Sequence, residues 1–313
     1  MSETKKVLIR ANTGGIGDFV WATSAISLIK QFNNKVDVTI ITSDIFFNLI
    51  NDDKIKINNV LYCNKKKNYS KNKFIKIFYR IYWCIKNYFK IKKENYDLMI
   101  FLDHCYITAF FAKYIYKIGN IVGPSILPYG YNIKNKSSKF YTRIIDLPLD
   151  FDRLHCMTAY QIIIRKIFPT YNLSLPVLPN TNYLKEKIIQ NFLQNTKKYK
   201  FAICTYGSRK CKNWNIEKFK ILIEQINNIY PSTFFVLGNN KEENNNVIYL
   251  QNNLKNIDIR NLVAKTNLLE LKELLNNIDL LISVDTGTMH VAATTDIKII
   301  SLHGFLYRNI QCL

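Results

Sequence analysis

Apolar positions in this chain form short runs that alternate with longer stretches of helical spacing. Val7–Ala11 is a nearly continuous apolar run of strand type, and Phe19–Phe32 repeats its apolar residues at the period of a packed helix. Val36–Thr42, Val60–Tyr62, Tyr96–Leu102 and the short Ile121–Val122 read as further strands, with a helix at Tyr106–Tyr116. Gly123–Tyr141, holding Pro124, Pro128 and Gly130, reads as loop, and Asp150–Phe168 as helix with His155 near its start. Pro169–Pro179 is extended and Pro-punctuated, the character of a connector. Beyond it the pattern predicts a helix at Tyr183–Thr196, a strand at Phe201–Thr205 and a helix at Ile216–Ile229. It continues with a strand at Thr233–Leu237, a weak strand at Asn246–Gln251 and a helix at Leu268–Asn276. Leu280–Val284 and Ile297–Leu302 are strands flanking a helical segment that begins near Met289. Strands alternating with helices predict parallel sheets of βαβ units. The chain therefore reads as α/β, two successive Rossmann-like domains over residues 1–170 and 180–313.

One segment departs from this rhythm. Lys54 to Lys93 carries thirteen Lys or Arg and no acidic residue. Inside it Phe74, Ile77, Phe78, Ile81, Tyr82, Ile85, Tyr88 and Phe89 share one helical stripe, with Lys73, Lys76, Arg80 and Lys90 largely off it. A basic amphipathic helix with aromatics suits a membrane interface. The stripe is assigned here to packing on its own domain, and the basic face to docking an anionic partner.

Composition narrows the classes. The 313 residues suffice for two domains, 48% of them are hydrophobic, and the formal net charge is +21. Part of that charge reflects a Lys-, Asn-, Ile- and Tyr-rich composition of the kind AT-rich coding produces. The remainder indicates an anionic partner. Nucleic acid is not that partner, because the charge spreads over both halves and no nucleic-acid module is present. Seven cysteines lie scattered without a CxxC pair, which forms neither a disulfide framework nor a zinc site and suits a reducing cytosol. The N-terminus has no signal-peptide core, and no apolar run reaches the roughly 18 residues of a membrane span.

Candidate chemistry sits in turns that follow strands. Asp285-Thr286-Gly287-Thr288 ends Leu280–Val284 at the carboxyl edge, where open α/β sheets hold ligands. Its hydroxyls, glycine and helix start either receive an anion such as phosphate or form an ordinary turn capped by Thr286 or Thr288. The early turn Gly14-Gly15-Ile16-Gly17-Asp18 has the wrong spacing for a dinucleotide fingerprint, and its carboxylate would repel a phosphate. Asp18 is either a helix cap or an ionised proton acceptor facing a cleft. His104 and His155 read as structural.

Four segments together resemble glycosyltransferase family 9, whose best-known members are the ADP-heptose:lipopolysaccharide heptosyltransferases. They are GGIGDFVWATSAI, YDLMIFLD, GSRKCKNWNIEKF and VDTGTMHVAA, in the family's order across nearly the whole chain. The resemblance implies a GT-B fold, two Rossmann-like domains facing each other across a cleft, and an inverting mechanism with no cofactor and no metal. No DxD-type acidic pair lies near the turns. Carried over by position, Asp18 matches the general base, and Lys212 a lysine that offsets charge on the departing diphosphate. Thr205, Ser208, Asp285, Thr286, Gly287, Thr288 and His290 fall in the donor site, with Glu242 as a candidate ribose-binding acid. Gly15, Gly17 and Asp103 belong to the acceptor side. The expected partners are a nucleotide-sugar donor, a phosphorylated glycolipid acceptor and an anionic membrane surface. The expected location is cytoplasmic and peripheral at the inner face of the inner membrane. The sequence ends at Leu313, soon after His303-Gly304-Phe305, so the second domain reads as shortened. A truncated, inactive paralogue that binds nucleotide or glycolipid is the alternative.

Overall fold

The computed structural model describes residues 6–11, 15–50, 57–64, 70–126, 134–148, 156–170, 174–207 and 210–303. The chain divides into two compact units, one ending at Pro179 and the other starting at Asn180.

The first unit is built on strands β1 (Lys6–Arg10), β2 (Asp37–Ser43), β3 (Asn59–Cys63), β4 (Leu98–Phe101), β5 (Asn120–Pro124) and β6 (Arg143–Ile145). Among the described residues they form one parallel sheet in the order β3-β2-β1-β4-β5-β6. Its helices are α1 (Ile16–Phe32), α2 (Lys73–Lys86), α3 (Tyr88–Glu94), α4 (Tyr106–Phe110) and α5 (Cys156–Ile167). The strands are apolar throughout because both faces of a parallel sheet are covered, and Val7, Leu8 and Ile9 are fully buried. Helix α1 is buried on most of its circumference, so its Thr23 and Ser24 hydroxyls bond back to Val20 and Trp21 carbonyls at 2.6 and 2.7 Å. Thr23 also accepts from the Val177 amide at 2.9 Å, and Gln161 donates to the Ser174 carbonyl at 2.6 Å. These bonds hold the second half of the Pro-rich connector on the first unit.

The second unit contains β7 (Tyr199–Cys204), β8 (Ser232–Val236), β9 (Asp258–Asn261), β10 (Leu280–Val284) and β11 (Lys298–Leu302). They too are parallel, in the order β11-β10-β7-β8-β9. Its helices are α6 (Lys185–Ile188), α7 (Ile216–Ile229), α8 (Lys241–Asn253), α9 (Leu268–Asn276) and α10 (Gly287–Ala292). Both sheets therefore reverse direction beside their first strand, between β1 and β4 and between β7 and β10. At such switch points open α/β sheets place ligands beyond the carboxyl ends of the strands.

Three local expectations change. Asn246–Gln251 is not a strand but part of α8. Asn240 and Glu243 form a reciprocal capping box that starts the helix, and Val247 and Leu250, three apart, are its buried face. Strands β6 and β9 arise from segments without an apolar run, at the edges of their sheets. The aromatic stripe of α2 does not pack on its own domain: Phe74, Ile77, Phe78, Tyr82, Ile85 and Phe89 are exposed. Only Trp83 and Cys84 of that helix are buried, and Ile81 and Tyr88 are half-buried.

Among the described residues no helix is long and apolar enough to cross a membrane. Cys63, Cys84, Cys105, Cys156 and Cys204 are buried free thiols, whereas Cys211 is exposed. Burial pushes the Cys63 and Cys204 thiols up to about 12.

Candidate active site

In the second unit β7 and β10 lie side by side, with Ser283 opposite Cys204, so the turns that follow them meet. They meet most closely at Gly207. A Cβ there would lie 3.0 Å from the Asp285 carbonyl oxygen and 3.2 Å from Lys212 Cβ, so any larger residue would press the two turns apart by a few tenths of an ångström. The Gly207 amide donates to Asn213 Oδ1 at 2.6 Å, which folds the loop over itself. The fold brings Lys212, at the end of a short 3-10 turn (Lys210–Lys212), onto Asp285, with Nζ 2.7 Å from Oδ2. The second carboxylate oxygen, Oδ1, is 3.8 Å from His290 Nε2. Asp285 and His290 are buried, while the Lys212 side chain keeps 14% of its surface exposed. An ammonium donates three hydrogen bonds and Asp285 accepts one. This is a charged, largely dry site at the rim of a switch point, the setting in which a cation acts most strongly on an anion.

The rest of the turn surrounds this pair. Thr286, Gly287 and Thr288 are half-buried. Thr286 occupies the N-cap position of α10 with no side-chain capping bond, and the Ser283 hydroxyl donates to the Val284 carbonyl at 2.7 Å. Thr205 is buried and accepts from Asn246 Nδ2 at 3.0 Å, so α8 holds its hydroxyl. Glu242 stands exposed on the first turn of α8, whereas its neighbour Glu243 is buried beneath Gly238 as a cap. Ser208 lies outside the described residues, as does His155.

In the first unit Gly15 caps α1 and Asp18 sits in its first turn, half-buried. A Cβ on Gly15 would lie 3.2 Å from Asp18 Oδ2, so the carboxylate folds back over the turn through space the glycine leaves. Gly17 is buried on the same turn. Asp18 lies near Cys156 at the start of α5, and its charge adds to the burial that pushes that thiol up to about 12.

Asp103 has a different fate. It follows β4 and meets Arg10, the last residue of β1, with Arg10 Nε 2.9 Å from Oδ1. Both side chains are almost fully buried, Arg10 to 2% exposure. Burial pushes the Asp103 carboxyl up, and the Arg10 guanidinium pulls it back down. Asp103 therefore braces the switch point of its sheet. Arg10 was not singled out by sequence reasoning, although a charge inside the run Val7–Ala11 signals a buried partner. Arg10 also borders a shallow depression shared with Arg80, Tyr79 and Trp83. Among the described residues no group of three or more His, Cys, Asp or Glu side chains could hold a metal ion.

The model of glycosyltransferase family 9 (heptosyltransferase) matches residues 89–306. The span includes Lys212 and Asp285–His290 and leaves Asp18 outside. Among solved structures, E. coli ADP-heptose lps heptosyltransferase II superposes with a TM-score of 0.71 at 15% identity, over 96% of this chain and 84% of that one. The family 9 glycosyl transferase of Veillonella parvula DSM 2008 gives 0.73 at 14% identity, over 95% of this chain and 80% of that one. E. coli heptosyltransferase WaaC with ADP-2-deoxy-2-fluoro heptose gives 0.67 at 16% identity, over 98% and 92%. At these identities the likeness is one of fold, α/β of the GT-B type. No curated protein matches the chain in sequence.

Proposed function

The chain belongs to glycosyltransferase family 9, and on that premise we propose that it moves heptose or a related sugar from a nucleotide diphosphate donor to a lipid-linked acceptor. ADP-heptose is the first candidate donor, because WaaC, similar in fold, was solved with ADP-2-deoxy-2-fluoro heptose and with ADP. The acceptor is a lipopolysaccharide core or another phosphorylated glycolipid. Such an acceptor places the enzyme peripherally at the inner face of the inner membrane.

The reading rests on one observation, the Lys212–Asp285 pair at the β7/β10 switch point with His290 behind it. When the donor binds, the Lys212 ammonium turns from Asp285 to the diphosphate, and Asp285 becomes available to the hydroxyls of the sugar. Asp18 takes the proton from the acceptor hydroxyl as that oxygen forms a bond to the anomeric carbon. The bond from that carbon to the diphosphate breaks, its electron pair leaves with the diphosphate, and the configuration inverts. Lys212 stabilises the charge that develops there. No metal is needed in this scheme.

Transfer assays with purified chain and ADP-, UDP-, GDP- and CMP-linked donors test it. Asp18→Ala should lower kcat by about 10²–10⁴-fold, the usual contribution of a positioned general base, with donor affinity unchanged. Transfer that survives this substitution refutes the assignment. Donor binding without transfer in the unaltered chain would select the inactive binding paralogue instead.

A further inference from the structure

Helix α2 packs through a narrow face, Trp83 and Cys84 with Tyr79 beside them, and leaves its wider apolar stripe outside. Trp83 Nε1 donates to the Tyr62 carbonyl at 2.8 Å, and Tyr116 donates to the Cys84 carbonyl at 2.9 Å. These contacts fix which face turns toward the sheet. Lys76 and Arg80 lie on that inward half, both half-buried. At 100° per residue the apolar stripe falls diametrically opposite. It stands in solvent, with Phe74 73% and Phe78 70% exposed, continued on α3 by Phe89 at 81%. A surface helix ordinarily turns its widest apolar stripe to the core, and a contiguous exposed apolar stripe marks a binding surface.

Charge selects the partner. The thirteen basic residues between Lys54 and Lys93 are unrelieved by any acidic one, and Lys73, Lys86 and Lys90, all exposed, are spread along the same two helices. Apolar rings among lysines match the headgroup boundary of an anionic bilayer, where rings enter the acyl region and long basic side chains reach back to phosphates. We propose that α2 and α3 form a membrane-docking surface for anionic phospholipid, with Phe74, Phe78 and Phe89 as its inserted anchors. The surface goes beyond sugar transfer, since lipid binding needs neither donor nor Asp18.

Vesicle co-sedimentation of the full chain tests this. Vesicles of equal parts phosphatidylglycerol and phosphatidylcholine should retain the protein, and vesicles of phosphatidylcholine alone should retain much less. The triple change Phe74→Ser, Phe78→Ser, Phe89→Ser should weaken binding at least about tenfold per ring removed from the apolar phase. Lys73→Gln, Lys86→Gln and Lys90→Gln should each cost about fivefold and together lower the salt dependence. Because the triple variant could misfold, Phe78→Trp in the otherwise unchanged chain gives a second measure, a blue shift of the added indole's emission on mixed vesicles and none on neutral ones. Unchanged binding by the triple variant overturns the proposal, as does an emission spectrum of the Phe78→Trp variant that is indifferent to lipid. Self-association that depends on the three phenylalanines, without vesicle binding, overturns it in favour of a second copy. Transfer to a delipidated acceptor should be the same in the triple variant, so failure here is separable from failure of the catalytic reading.

Discussion

Each unit sets a carboxylate just past the strand that faces its first strand across the switch point, Asp103 after β4 and Asp285 after β10, and each supplies a cation. The cations differ. Arg10 belongs to β1 itself and is sealed with its partner, so the pair is part of the sheet. Lys212 arrives on a loop folded by Asn213, keeps some exposure, and shares its carboxylate with His290. A guanidinium held within a strand cannot leave, whereas an ammonium on a flexible stem can exchange partners. The same topological position thus holds a sealed pair in one unit and a partly exposed cluster in the other.

The largest effect should come from breaking the sealed pair. Asp103→Ala takes the carboxylate from the buried Arg10 guanidinium and should lower unfolding stability by about 3–5 kcal/mol in urea titrations. The double change Arg10→Met, Asp103→Leu should recover most of it. Next, Lys212→Met should cut transfer by about 10²–10³-fold while costing less stability than Asp103→Ala, because its site is partly open. A smaller effect separates two glycines. Gly207→Ala pushes against the Asp285 backbone and should cost about 1–3 kcal/mol as well as donor affinity in calorimetry. Gly15→Ala meets only the end of the Asp18 side chain and should alter kcat more than stability.

A surface ion pair supplies the lower bound. Burial would raise the Glu270 carboxyl, but Lys187, 2.6 Å away, and the Asn267 amide outweigh it and hold it below the ordinary 4.5. A depressed native value contributes stability above the unfolded-state value and loses it as pH falls through the native one. Since Lys187 is mostly exposed, the effect should stay under about 1 kcal/mol. Lys187→Ala should remove most of that acid-side loss in unfolding midpoints followed downward from neutral pH.

Much of this was legible in the sequence, for identifiable reasons. Strands β1, β7 and β10 are central, buried on both faces and therefore continuous in apolar residues, and the turns that follow them carry Asp18, Lys212 and Asp285. Edge strands β6 and β9 have no such signature. Helix α8 is Asn-rich, and its buried face rests on few residues, so its start is signalled by the Asn240–Glu243 cap more than by period. Arg10 was hidden because one charge inside an apolar strand has no periodicity, and its partner is remote in sequence. Helix α2 shows the limit of periodicity: it reveals that a helix has two faces and leaves open which one the rest of the chain will cover.

The distribution of thiols has a practical outcome. Five cysteines among the described residues are buried, and the exposed one, Cys211, immediately precedes Lys212. Once Cys312 is replaced by serine, a maleimide fluorophore should react at one position, adjoining the loop that is expected to rearrange when a diphosphate arrives. Such a conjugate would turn the loop into an optical sensor, so affinities for a whole panel of sugar nucleotides could be ranked before any acceptor has been identified.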